Sequence, residues 1–478
     1  MVEEQLDVGR SPTETTTPWQ YPLSIGAAVS VVPADTPGIW TCRPDPGFSG
    51  ATPAWGLSQA DIEAARSTGE AADADGGVAE AFVSTLRHQA VPPVPGFRLL
   101  RLVPPPEASG ERPEPHLDPG AGPVSECRVV VGERVAVTWL HQIVDADNIA
   151  PLLHAHLDAV DFVGVQETYG ALLWTAPSGR EVPVAWARRY LPRARDGWDW
   201  CVELTRQALG VGPERAPKDP WAADFPARLG GLTARLHGAL ATPSKVLPEP
   251  TGAAGPDQIR AWHAVASRAL DRALCLAQGS DAVPGLSEVL LPRAGALRAA
   301  IDALERLADD GGTALVQRIH GDLHVGQVLR WSAGLTVVDF HPDPELGFED
   351  LRLGQCLQPA ARDVARLLRS LDHVARVIDK ESGFALTPAV DAWSARARSD
   401  LLAAYAREHP RPDGNEPGES CPVEPMLIKA FEAEQLCREI VYACEQLPDW
   451  VYAPLGGLWQ EYPAGEVSPR RARHAAPS

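Results

Sequence analysis

Three oxygen-bearing side chains in the stretch 317–340, QRIHGDLHVGQVLRWSAGLTVVDF, are spaced as phosphoryl transfer requires. Asp322 follows His320 and Gly321, where a glycine lets the backbone turn sharply. Gln327 comes five residues later, and the apolar run 335–338 ends on Asp339. A loop carboxylate can orient an attacking hydroxyl and take its proton. A carboxamide and a second carboxylate can hold magnesium against nucleotide phosphates through hard oxygen ligands. Zinc binding by His320 and His324 is a weaker use of the same stretch. The two lie four apart on a segment that reads as loop and strand, with no third ligand close by.

The elements that must hold these residues change in texture along the chain. Residues 128–140, RVVVGERVAVTWL, predict a hairpin with Gly132 in its turn, and 147–156 can form a helix. Segments 164–166, 171–175 and 181–190 resemble further strands, which together make a small β-rich lobe. No glycine-rich phosphate loop appears on them, which weighs against a P-loop enzyme. From Asp196 the pattern is helical: 196–209, 227–239, 259–278, 289–308, 359–377, 391–406 and 424–446, broken at Pro- and Gly-rich stretches. His237, in the second of these, is expected to be capped or exposed rather than a ligand. Upstream, 58–66 is helix-like, 73–77 (DADGG) reads as a turn, 79–88 as a short helix, and 103–125 as a Pro-rich connection.

Composition narrows the class. The 478 residues are too many for one compact core and predict two or three units. A net charge of −20, from 63 acids against 43 Lys and Arg, argues against binding nucleic acid or anionic lipid and fits a cationic substrate. Eight Cys without a Cys-x-x-Cys pair suit small buried residues in a reducing cytosol; Cys437 and Cys444 lie seven apart. The first 20 residues lack an apolar signal core, and the run 25–32 is too short to span a bilayer. A cytoplasmic protein with no membrane or nucleic-acid partner is expected.

The spacing of Asp322, Gln327 and Asp339 is similar to that of protein-kinase-like enzymes, with Gln327 where Asn is usual and Asp339-Phe340-His341 where Asp-Phe-Gly is usual. The His-Gly-Asp form with Gln resembles the aminoglycoside-phosphotransferase-like branch, and within it the actinobacterial maltokinase and glucosamine-kinase group. The helix Arg362-Asp363-Val364-Ala365-Arg366-Leu367-Leu368-Arg369-Ser370-Leu371-Asp372 resembles theirs after the metal-binding Asp. Tyr190-Leu191-Pro192 with Asp196-Gly197-Trp198-Asp199-Trp200 looks like their hinge. Residues from Ala430 to Trp450 look like their sugar-facing helix. The resemblance covers about residues 128–460. It implies an α+β, two-lobed, protein-kinase-like fold. The expected parts are a disordered 1–18, a cap subdomain over 19–125, a nucleotide lobe over 126–195, a helical catalytic and sugar-binding lobe over 196–465, and a disordered tail, 466–478.

The same resemblance implies roles. Asp322 is the base, and Gln327 and Asp339 hold Mg2+, with His324 and Asp343 supporting that shell. Two departures stand out. Maltokinases carry a nucleotide-phosphate Lys where this chain has Val137-Thr138-Trp139-Leu140, so Arg134, His141, Arg189, Tyr190 or backbone amides must serve ATP instead. Where maltokinases offer Lys, Tyr and Tyr to the sugar, this chain has Gln435, Arg438 and Tyr442, at i, i+3 and i+7, with Glu439 on the same face. Losing a Lys beside an acid favours an amino sugar whose ammonium needs Glu439, Glu434 or Asp322 itself. Trp450 offers a ring for stacking on a pyranose, or else packs the helix end. The expectation is a monomeric glucosamine kinase forming glucosamine 6-phosphate. Maltose 1-phosphorylation, aminoglycoside phosphorylation and a catalytically degraded binding module are the alternatives.

Overall fold

The computed structural model describes residues 19–22, 28–33, 39–45, 72–87, 94–107, 116–117, 126–140, 142–144, 150–211, 219–279, 283–340, 357–409 and 424–462. The expected helix at 58–66, the expected disorder at both ends, and the candidates His141 and Asp343 lie outside these residues. The chain forms two compact units, Met1–Pro151 with Gln166–Pro192, and Leu152–Val165 with Arg193–Ser478.

The first unit holds β1 (Trp19–Pro22), β2 (Ala28–Pro33), β3 (Ile39–Asp45), α1 (Ala72–Arg87), β4 (Phe97–Arg101), β5 (His116–Leu117), β6 (Glu126–Val131), β7 (Val135–Leu140), β8 (Gln142–Val144), β9 (Thr168–Thr175) and β10 (Glu181–Arg189). One antiparallel sheet runs β1-β2-β3-β8 and a larger one β4-β9-β10-β7-β6-β5. The expected hairpin is β6–β7, with Gly132 at φ 57° in its turn. Strands β9 and β10 are buried almost end to end, as their β-branched and aromatic content favours. Val78, Phe82 and Leu86 of α1, at helical spacing, enter the same core, and Phe82 lies 5.4 Å from the Trp139 ring. Helix α1 starts at Ala72, so the DADGG stretch is its first turns and not a turn between elements.

The second unit is mostly helical: α2 (Ala150–Ala159), α3 (Gly197–Ala208), α4 (Phe225–Ala241), α5 (Pro256–Gln278), α6 (Leu286–Leu290), α7 (Ala294–Asp309), α8 (Ala361–Glu381), α9 (Thr387–Glu408), α10 (Pro425–Gln446) and α11 (Tyr452–Glu461). Two short antiparallel pairs join them, β11 (Thr251–Ala254) with β12 (Ala314–Gln317), and β13 (Val328–Trp331) with β14 (Gly334–Val337). Leu270, Ile301, Leu436 and Ile440 bring α5, α7 and α10 into one core. The single helix expected over 289–308 is split, because a 3-10 turn at Leu291–Arg293 carries Pro292, which has no N–H to continue an α-helix. The expected strand at 164–166 is one parallel bridge, Val165 to Val337. Cys201, Cys275, Cys437 and Cys444 are free thiols. Among the described residues no helix is long and apolar enough to cross a membrane.

Candidate active site

The 320–327 loop runs between β12 and β13, and two helices, α8 and α3, fix its shape. Gly321 stands at φ 92°, a conformation that excludes a side chain without strain. Asp363, in the first turn of α8 and fully buried, accepts from the backbone amides of His320 (2.8 Å) and Gly321 (3.0 Å). Ser370 Oγ, two turns on, accepts from the Val325 amide at 3.0 Å. Arg366 lies between them and ion-pairs with Asp322. Asp363, Arg366 and Ser370 are spaced i, i+3, i+7, so one face of α8 grips the loop. From the other side, α3 is capped by Asp196 on the Trp198 amide at 2.8 Å. Its first residue, Gly197, lies so close that a Cβ would come within 1.7 Å of the Val325 carbonyl. Trp200 Nε1 donates to the Val328 carbonyl at 2.9 Å.

His237 departs from its expectation. It is fully buried, with Nδ1 2.8 Å from the Tyr405 hydroxyl and Nε2 3.0 Å from Asp363. Burial alone pushes the Asp363 carboxyl up, but the hydrogen bonds from His237 and the Gly321 amide outweigh it and hold the group below its ordinary value. An ionised Asp363 is thus available to both loop amides.

His320 ties the loop to the strand that carries Asp339. Its Nε2 is 2.8 Å from the Val338 carbonyl and its Nδ1 accepts from the Asp322 amide at 3.2 Å. That pattern demands a neutral ring with its proton on Nε2 and leaves neither nitrogen for zinc. Phe340 stacks on the ring at 4.6 Å. The Val338 amide donates to the Gln327 carbonyl at 2.9 Å, which sets Gln327 against the residue before Asp339. Asp339 takes φ 55°, a left-handed conformation that Asp tolerates better than most residues. The structure therefore gathers Asp322, Gln327 and Asp339 on one loop and hairpin. Their side chains offer carboxylate and carboxamide oxygens, a donor set that fits a hard cation such as magnesium. His324 caps the 3-10 turn Val325–Gln327, accepting from the Gly326 amide at 3.1 Å, and its Nε2 lies 3.8 Å from Asp322.

Helix α10 meets α8 through a series of charged pairs. Glu434, 3% exposed, takes Arg362 on one oxygen (3.1 Å) and Arg438 on the other (3.2 Å). Burial raises its carboxyl, but the two guanidiniums prevail and hold it below its ordinary value. Arg438 thus pairs with Glu434, each of whose oxygens already faces a guanidinium. Glu439 differs. Its Oε2 accepts from Arg369 Nε (3.2 Å) and Nη2 (3.1 Å) and lies 3.1 Å from His373, while Oε1 takes no hydrogen bond among the described residues. Against the burial that would raise it, His373 and Arg369 hold its carboxyl at about 2. Gln435 Oε1 accepts from Arg366 Nε at 3.2 Å. Tyr442 is exposed, and Trp450, 40% exposed, has its ring 6.0 Å from that of Trp198.

In the first unit, Tyr190 donates its amide to the Arg134 carbonyl at 2.8 Å, and Arg189 pairs in register with Val135. Arg134, Arg189 and Tyr190 are thus neighbours at one end of the β7–β10 pair. Arg188, beside them, is buried with its guanidinium 4.9 Å from the Trp186 ring, and the sequence did not single it out. Nor did it single out Asp363, Arg366, Arg369 or His373 for the site. One signal was available: these charges recur every three or four residues along an otherwise apolar helix, which is the wrong pattern for a purely solvated face.

No protein-family model matches the chain. A glucosamine kinase from Streptacidiphilus jiangxiensis is 33% identical over 333 residues, covering 68% of this chain and 69% of the relative. The chain belongs to the glucosamine kinase family. A second glucosamine kinase, from Mycolicibacterium smegmatis, is 32% identical over 331 residues, covering 69% of this chain and 75% of its own. A solved glucosamine kinase in complex with glucosamine, ADP and inorganic phosphate superposes with a TM-score of 0.67 at 28% identity, covering 92% of each chain. A crystal form of glucosamine kinase gives a TM-score of 0.65 at the same identity, over 92% of this chain and 94% of that one. The expected kinase-like α+β fold and the glucosamine-kinase branch both hold.

Proposed function

We propose that the chain transfers the γ-phosphoryl group of ATP to the 6-hydroxyl of glucosamine. The observation that carries this reading is the loop itself: Asp322 on a turn gripped by α8 and α3, tied through His320 to the strand bearing Asp339. Asp322 orients the sugar hydroxyl and takes its proton as the new O–P bond forms, and ADP leaves with the electrons of the broken bond. Gln327 and Asp339 are the residues that would hold magnesium, which supplies charge neutralisation at the nucleotide phosphates. Glu439 Oε1 receives the sugar ammonium, because Glu439 is the mostly buried acid of α10 with an oxygen that takes no hydrogen bond among the described residues, whereas Glu445, paired with Arg272, is exposed. Gln435 donates to the sugar, and Tyr442 and Trp450 border it. Nucleotide contacts are assigned to Arg134, His141, Arg189 and Tyr190, with the expected cap, nucleotide and catalytic segments keeping their roles. A monomer working in the cytoplasm is part of the same proposal.

The test is a panel of sugars with ATP and magnesium, scored by coupled ADP release. Turnover on glucosamine above glucose and maltose is expected. Turnover on maltose alone supports the runner-up, and ATP binding with no turnover on any sugar supports a binding module.

A further inference from the structure

Arg366 touches both the base and the acceptor helix. Its Nη1 pairs with Asp322 Oδ1 and reaches the Gly321 carbonyl at 3.5 Å, while its Nε donates to Gln435 Oε1 at 3.2 Å. The guanidinium is 13% exposed and Asp322 17%, so little water competes for these contacts. A guanidinium has donors and no acceptor, so the Gln435 carboxamide must turn its oxygen toward Arg366. Its NH2 then points away from Arg366 and has no hydrogen-bond partner among the described residues.

We propose that Arg366 is a positioning residue that couples the base to the acceptor-reading carboxamide, fixing Gln435 as a hydrogen-bond donor. It follows that Gln435 reads an oxygen of the acceptor, a hydroxyl or the ring oxygen, and never its ammonium. A planar fork with two separate donors is needed for this, because one rigid group sets the distance between Asp322 and Gln435. A lysine at the same place can neutralise Asp322 but cannot hold both partners in one plane. The inference rests on the kinase reading of Asp322, and it adds a residue and a polarity that this reading does not contain.

Steady-state kinetics of the full chain with glucosamine and ATP test it, and wild-type turnover, measured first, tests the kinase reading by itself. Arg366→Met is expected to lower kcat at least about tenfold and raise KM for glucosamine, with KM for ATP within about twofold. Arg366→Lys should recover part of kcat and none of the KM, a split that a merely structural role does not produce. Gln435→Glu keeps and strengthens the contact to Arg366 but removes the donor, so KM for glucosamine should rise about tenfold. The proposal is overturned if Gln435→Glu lowers or preserves that KM, since the carboxamide then accepts from the ammonium. It is also overturned if Arg366→Met has wild-type kinetics, or if the Lys and Met variants lose kcat equally. Melting curves accompany each variant; should Arg366→Met fail to fold, the Lys and Gln435→Glu variants decide.

Discussion

The carboxylate of Asp363 accepts the backbone amide of His320 at 2.8 Å, and in doing so shapes the loop that presents the base two residues later. Asp363 touches no reacting atom. Its replacement should nevertheless act on turnover through the loop. Asp363→Asn puts an NH2 among three donors, those of His237, His320 and Gly321. The expected cost is about 3 kcal/mol in urea unfolding, with kcat down tenfold or more. A variant with wild-type stability and turnover removes Asp363 from this role.

Asp322→Asn keeps size and loses the base. Turnover should fall by roughly 100-fold or more, with little change in nucleotide affinity measured by calorimetry. Near-normal turnover would assign the base elsewhere.

Magnesium dependence separates Gln327 from Asp339. Both Asp339→Ala and Gln327→Ala should need more magnesium for ATP binding, Asp339→Ala the more because it removes a charge. Magnesium titrations of ATP affinity measure this, and superimposable curves for all three proteins would exclude both residues as ligands.

Glu439→Gln should narrow the preference for glucosamine over glucose, since glucose has no ammonium to leave unpaired. The ratio of kcat/KM for the two sugars reports it, and an unchanged ratio means that another group reads the amine. The same substitution has a pH signature. The folded pKa is depressed to about 2, so the stabilisation from Glu439 is complete above its ordinary value near 4.5 and is lost as pH falls toward 2. Urea midpoints should therefore fall more steeply between about pH 4.5 and 2 in the wild-type chain than in the variant. Parallel curves would deny the depressed carboxyl.

Much of the reacting centre was legible in the chain because it is local. Asp322, Gln327 and Asp339 lie within eighteen residues, and loop, strand and turn follow from Gly321 and the apolar run before Asp339. Long helices were legible from periodicity, though Pro292 cut one of them and another starts at Ala72, earlier than its periodicity indicates. What holds the centre was not legible. His237 reaches Asp363 across 126 residues, and Arg369 reaches Glu439 across 70. No spacing rule connects such partners, and a charged helix read alone defaults to a wet surface. Folding turned that surface inward because its buried charges found partners: Arg369 and Arg376 met carboxylates, and Asp379 accepts from the Thr387 hydroxyl and the Leu386 amide.

The contact of α8 with α10 also bears on how this family can acquire new acceptors. Changing Glu434 alone removes an ion-pair partner of both Arg362 and Arg438, and changing Glu439 alone takes the carboxylate from His373 and leaves Arg369 with Asp372. A substitution at Glu434 or Glu439 is therefore expected to call for a compensating change at Arg362 or Arg369 on α8, some 70 residues earlier. Tyr442, exposed and outside this set of ion pairs, carries no such obligation. Directed evolution of acceptor choice should find its first single steps there, and reach the charged positions only through paired substitutions.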